Sequence, residues 1–139
     1  MNATILALVG YISWILILLL GIATYRTSLV IKKQKAPNGF KSDGSDSPPF
    51  GERLSRALGN CVESFAFIGG LLLLALATNS AFITNDLAWF LLGARLGQSI
   101  THLISTSVLA VQIRFAFFLV QVGICGFWVL QFLNKFTNL

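Results

Sequence analysis

Apolar residues run from Ala3 to Ala23, through the segment ending near Thr78, and again from Leu87 to Leu133, and the polar positions that interrupt the later runs recur at helical spacing. A bilayer core of about 30 Å takes roughly 20 helical residues. Ala3 to Ala23 has no charge and predicts a first span, continued to residue 31. A second is expected over 53–78, with a polar-faced start from Glu52, followed by a short polar turn at Asn79–Asp86. The last run would reach about 70 Å as one helix, more than twice the membrane thickness, so it must fold back. That predicts spans over 86–106 and 111–134. The turn is expected between Ser105 and Val111, where Ser105, Thr106 and Ser107 can bond freed backbone groups. The expected fold class is an all-α membrane protein, a four-transmembrane-helix bundle formed by a single domain over residues 1–139.

The interruptions carry the functional signal. Arg56, Asn60 and Glu63, then Arg95, Gln98 and His102, then Arg114 and Gln121 each keep a spacing that lines up side chains along one helical face. Ionisable groups in hydrocarbon are costly, and such stripes turn inward, pair and mark sites.

Composition agrees with the pattern. Hydrophobic residues make up 55% of the 139 and charged residues only 11%, against about a quarter charged in soluble domains; mean hydropathy is +0.78. A cleavable signal is the rival reading of the first segment. Against it, Met1 and Asn2 supply no basic side chain, and the run exceeds the roughly 7 to 15 residues of a signal core. The net charge of +5 reads as topology. Arg26, Lys32, Lys33, Lys35, Lys41, Arg53 and Arg56 surround the first loop, approximately residues 32–52, and Arg114 adjoins the third, so both loops are expected on the cytoplasmic side. These basic residues flank a span rather than forming a separate folded module, which argues against nucleic-acid binding.

The first loop holds all three prolines (Pro37, Pro48, Pro49), the Asn38-Gly39 pair and Ser42 to Ser47, all loop signals. Asp43 and Asp46 lack the alternating ligands and terminal Glu of an EF-hand, so no metal is expected. Cys61 and Cys125 lie within spans and read as small buried side chains. Gly93-Ala94-Arg95-Leu96-Gly97 has the small-xxx-small spacing that lets membrane helices approach closely, and Gly69, Gly70, Gly123 and Gly126 add small surfaces.

Glu63 and Arg95 fall at about the same depth, counted at 1.5 Å per residue from the loop-side ends of their spans. They are expected to pair, with Asn60 and Gln98 adding hydrogen bonds. Arg56, Arg95 and Arg114 are then opposed only by Glu63. Two guanidinium groups remain, which suits a small polyanionic or zwitterionic ligand; the competing reading is a cluster that only locks helices together, with Arg56 and Arg114 snorkelling to the interface. His102 is open to three roles: polar cavity residue, proton carrier or helix-packing group. There is no acid beside it in its span and no Gly-rich phosphate cradle followed by Lys, so triad and nucleotide-binding patterns are missing.

The run from Glu52 to Glu63, Arg56-Ala57-Leu58-Gly59-Asn60-Cys61-Val62-Glu63 above all, resembles the second-helix signature Arg-Ala-His-x-Asn-x-x-Glu of the MAPEG family, membrane-associated proteins in eicosanoid and glutathione metabolism. Gly93-Ala94-Arg95 with Gln98 and His102 is similar to its third-helix pattern, and Gln112-Ile113-Arg114 to the start of its fourth. Asp43 to Phe50 and Gln98 to Ser105 look most like short bacterial members, whose setting would be the inner (cell) membrane. The resemblance implies a homotrimer with glutathione as cosubstrate, bound between subunits near the cytoplasmic face. It makes Arg114 the candidate to stabilise the thiolate and Arg56, Asn60 and Glu63 the glutathione contacts, joined by Arg95, Gln98 and His102 on the third helix. Arg26 is a looser candidate for the first-helix contact. Leu58 stands where the signature has His, Gln98 where His is frequent, and His102 where glutathione-binding members carry Tyr. Phe115 and Phe118 replace hydroxyl residues of eicosanoid-forming members, which argues against prostaglandin or leukotriene synthesis.

Three functions are compatible with these residues. One is a glutathione-dependent transferase or peroxidase acting on lipophilic electrophiles or hydroperoxides that arrive through the membrane lipids. Another is a non-catalytic membrane protein of the same fold that binds a lipid or anionic small molecule. The third, a transporter with Glu63 and His102 as proton relay, lacks the broken helices and inverted repeats usual in transporters.

Overall fold

In the computed structural model, which describes residues 2–33 and 49–137, the chain forms four helices: α1 (Ala3–Ile31), α2 (Pro49–Ala77), α3 (Ala81–Ile104) and α4 (Val108–Thr137). The loop features at Pro37, Asn38-Gly39, Asp43, Asp46 and Pro48 lie outside the described residues. Each helix end has a local cause. Asn2 caps α1, its Oδ1 accepting from the Ile5 amide at 3.2 Å. Pro49 opens α2 four residues ahead of the expected start, since a proline in the first turn loses no helical hydrogen bond.

The α2–α3 connection is tighter than the polarity of Asn79–Asp86 suggests. Asn79 takes a left-handed backbone (φ 56°), and the Ser80 amide donates to Ala75 O at 2.6 Å while that of Asn79 donates to Leu76 O at 3.3 Å. This is a Schellman closure with Asn at the position that tolerates positive φ. Helix α3 therefore begins at Ala81, five residues before the expected span, and its first turns carry Thr84, Asn85 and Asp86. Between α3 and α4 the turn is confined to Ser105–Ser107. Ser107 Oγ accepts from the Ala110 amide at 3.2 Å and caps α4. Val108–Ala110 thus join the helix, and Arg114 lies two turns inside it instead of at its edge.

Helix α3 is the hub. It packs against the other three, α1 also packs on α2, α2 and α4 touch only sparsely, and α1 and α4 do not meet. Tyr11, Ile68, Leu72, Ala88, Leu91 and Trp128 form the centre of the core. Gly97 faces α4, where an added Cβ would meet the tip of the half-buried Phe117 ring at 2.7 Å. Gly93, the other member of that small-xxx-small pair, faces open space.

The solvent logic is that of a membrane. Leu20 is 66% exposed, Phe90 67% and Leu130 65%, while Arg95 is 1% exposed; Gln98, Gln121 and His102 are buried as well. An apolar exterior of this extent is stable only against lipid or partner chains. Helices α1, α2 and α4 are long and apolar enough to cross a membrane. The 24 residues of α3 reach about 36 Å; its lower hydropathy comes from Arg95, Gln98, Ser99 and His102, all turned into the bundle.

At the end of the bundle away from loop one, several polar side chains satisfy one another, although the indole nitrogens of Trp14 and Trp128 in that half are buried without partners among the described residues. Thr4 Oγ1 lies 2.5 Å from Thr84 Oγ1 and donates to Asn85 Oδ1 at 2.7 Å, and the Thr4 amide reaches the same oxygen at 3.0 Å. Lys135 donates to Ser80 Oγ and lies 4.8 Å from the Phe82 ring centroid, tying α4 to the α2–α3 turn.

Candidate functional site

The sparse contact between α2 and α4 leaves a gap in the half of the bundle nearer loop one. A cavity of about 450 Å³ occupies it, lined by Ser55, Arg56, Gly59, Asn60 and Glu63 of α2, His102 of α3 and Arg114 of α4. Five of the expected site residues therefore share one cavity: Arg56, Asn60, Glu63, His102 and Arg114. Gln98 does not line it. Gln98 is buried between helices, its Oε1 accepting from Gln121 Nε2 at 2.7 Å, and so works as an α3–α4 clasp. Arg26, near the C-terminal end of α1, is likewise outside the cavity wall.

Arg95 sits one layer behind. Its Nη1 donates to Ser64 Oγ at 2.7 Å and its Nη2 to Asn60 Oδ1, so the Glu63–Arg95 ion pair expected from depth does not form. The level is right and the azimuth is not. Asn60 and Ser64 stand one turn apart on the face toward α3, whereas Glu63 is rotated by about 100° from Ser64 and is exposed. An amide and a hydroxyl oxygen take up two of the arginine's donors in place of a carboxylate, while Nε has no hydrogen-bond partner.

The charge count also changes. Arg56 Nη2 pairs with Glu52 Oε1 at 2.7 Å, one turn earlier on α2. Arg95 and Arg114 are the cluster's guanidinium groups without a carboxylate among the described residues. Of these, Arg114 faces the cavity, and its buried Nε has no hydrogen-bond partner. A buried donor left unpaired costs about 1–3 kcal/mol, more when charged, which favours an acceptor entering the cavity. Glu63 has no ion pair among the described residues, and no group there hydrogen-bonds to His102.

Ser55 and Gly59 belong to the site although the polar stripe did not single them out. They precede Glu63 by two turns and one turn, so the 55–59–63 row was available as a second i, i+4 ridge. Ser55 Oγ is buried without a partner, and nothing lies within 4 Å of where a Gly59 Cβ would be.

The sites where the chain departs from the signature separate in space. Leu58 packs against the hydrophobic core, so that replacement does not touch the cavity. Phe115 and Phe118 stack at 6.3 Å between centroids on the exposed face of α4. Only His102 changes the cavity wall. Cys61 and Cys125 are buried free thiols; Cys61 Sγ lies 2.9 Å from Ser99 Oγ and its carbonyl accepts from Tyr11 Oη at 2.6 Å.

The MAPEG family model matches residues 4–134. The chain belongs to the MAPEG family. The match runs through all four helices and every cavity residue, so the membrane bundle is the family's fold carried over nearly the whole chain. Neither a curated protein nor a solved structure matches the chain.

Proposed function

We propose that this MAPEG protein is a membrane-embedded glutathione-dependent transferase or peroxidase acting on lipophilic electrophiles or hydroperoxides. The observation that carries the reading is Arg114, whose buried Nε has no hydrogen-bond partner among the described residues, at a cavity that Asn60 and Glu63 also line. The fit with glutathione is one of charge and size. The tripeptide has two carboxylates and one ammonium, and the cavity presents Arg56, Arg114 and Glu63. Arg56 would share its charge between Glu52 and the ligand. A volume of about 450 Å³ falls within the usual small-molecule range of roughly 300–1,000 Å³.

Glutathione supplies a sulfur nucleophile when bound. Arg114 would hold negative charge on that sulfur and lower the thiol pKa, raising the fraction that is nucleophilic at neutral pH. Glu63 would take the ammonium, Asn60 would donate to a carbonyl or carboxylate, and His102 would line the polar wall. The apolar surface beside the cavity admits an electrophile from the bilayer. Arg26, Arg95 and Gln98 act from outside the cavity in this scheme. The open side of the α2–α4 gap would be covered by a second copy, in line with a homotrimer, and loops one and three would face the cytoplasm.

The test is conjugation of an aryl halide by detergent-purified protein. Arg114→Ala should lower turnover by at least about a hundredfold while the oligomer is retained, as expected when a charged donor to the reacting atom is removed. Equal turnover in the two proteins would remove the assignment.

A further inference from the structure

Arg95 is the least expected charge in the molecule. It is almost wholly buried at mid-bundle, faces no carboxylate among the described residues, and has one donor, Nε, with no partner. A cation held this way requires a reason beyond packing, because a neutral side chain of similar volume in its place would not carry the desolvation penalty.

The contact with Asn60 supplies the reason. Guanidinium has donors and no acceptor, so the amide atom turned toward Arg95 must be the oxygen. That settles the amide orientation by chemistry, although oxygen and nitrogen of an Asn are otherwise hard to tell apart. With Oδ1 committed to Arg95, the two N–H bonds of Nδ2 point away from it. No group among the described residues accepts from Nδ2, and Asn60 is part of the cavity wall.

We infer that Arg95 is a positioning residue: from behind the cavity it locks the Asn60 amide with its NH₂ group forward, making Asn60 an obligate donor that selects a ligand carboxylate or carbonyl. The inference rests on the glutathione reading for the identity of the ligand, and on the hydrogen bonds alone for the orientation. Ser64 completes the device. Its hydroxyl takes the second guanidinium arm, so the fork is held at two points and cannot swing toward the cavity. Arg95 thus acts on the ligand without touching it.

Asn60→Asp separates positioning from packing. The carboxylate keeps and strengthens the contact with Arg95, so thermal stability of the bundle should hold or rise. It has no hydrogen to present to the cavity, so glutathione affinity, read by isothermal titration, should fall roughly tenfold to a hundredfold. Arg95→Lys, which still donates to Oδ1, should retain binding within a few-fold. Arg95→Met frees the amide to turn and should lose binding about as far as Asn60→Asp does.

If wild-type protein binds glutathione and Asn60→Asp or a folded Arg95→Met binds it equally well, the positioning role is overturned and the glutathione reading stands. If wild-type protein binds no glutathione at millimolar concentration, the same variants are titrated with glutarate, a thiol-free dicarboxylate. Binding of glutarate that Asn60→Asp abolishes and Arg95→Lys preserves would support the locked donor for another carboxylate ligand. Binding of neither compound would overturn both.

Discussion

The two ends of this bundle treat polar groups in opposite ways. Away from loop one, Thr4, Thr84, Asn85, Ser80 and Lys135 place their hydrogen bonds on each other and on the α2–α3 turn; the indole nitrogens of Trp14 and Trp128 in that half are buried without partners among the described residues, but they do not line the cavity. Toward loop one, Ser55 Oγ and Arg114 Nε are buried without partners among the described residues, and Glu63 and His102 line about 450 Å³ of open volume. Both ends bury polar atoms in an apolar surround. Buried polarity alone, even an unpartnered donor, is therefore no mark of a site; unpaired donors and acceptors gathered around one volume are.

Substitutions at the two ends should therefore split stability from binding. The largest effect is expected at Arg114→Ala, with glutathione affinity down by at least about a hundredfold and little change in melting temperature, since the side chain makes no hydrogen bond to the described protein through its buried nitrogen. A parallel loss of folding would place Arg114 with the structural hydrogen bonds of the other end. Next is Gly97→Ala, whose Cβ would sit 2.7 Å from Phe117 Cζ; the half-buried ring has to turn aside, which should cost about 1 kcal/mol, the low end of over-packing. Gly93→Ala, with nothing within 4 Å, is its control and should be near neutral in thermal unfolding of the single bundle.

Thr4→Val removes the hydroxyl shared with Thr84 and Asn85. Stability should fall by roughly 1 kcal/mol, the scale of hydrogen bonds between membrane helices, with glutathione affinity unchanged. Any weakening of ligand binding there would mean that the two ends are energetically coupled. The smallest effect is expected from Ser55→Ala, which removes an unpartnered buried hydroxyl. Its melting temperature should hold or rise slightly, while affinity drops by a few-fold. A clear loss of stability would mean that Ser55 is spent on the protein after all.

Much of this organisation was legible in the chain. Period and length gave the helical class, and the i, i+4 stripes picked out five of the seven residues around the cavity. Depth was readable because rise per residue is constant. Azimuth was not: depth alone points Arg95 at Glu63, whereas its partners are Asn60 and Ser64. Glu52 lies one turn before the Arg56–Asn60–Glu63 stripe and looks in sequence like an ordinary polar helix start, so its pairing with Arg56 shows only in three dimensions. The start of α3 was hidden by Thr84, Asn85 and Asp86. They look like a turn in one dimension, yet Thr84 and Asn85 are satisfied by Thr4, eighty residues away in the chain. The family match adds the bundle and its membrane setting, and leaves the chemistry to the cavity residues.

The most direct measurement is an ultraviolet difference titration of glutathione against detergent-purified protein, with Arg114→Ala beside it. The account predicts a saturable thiolate absorbance in the wild-type protein that disappears in the variant while the variant's melting curve is unchanged. No thiolate signal at millimolar glutathione, or an equal signal from both proteins, would contradict it.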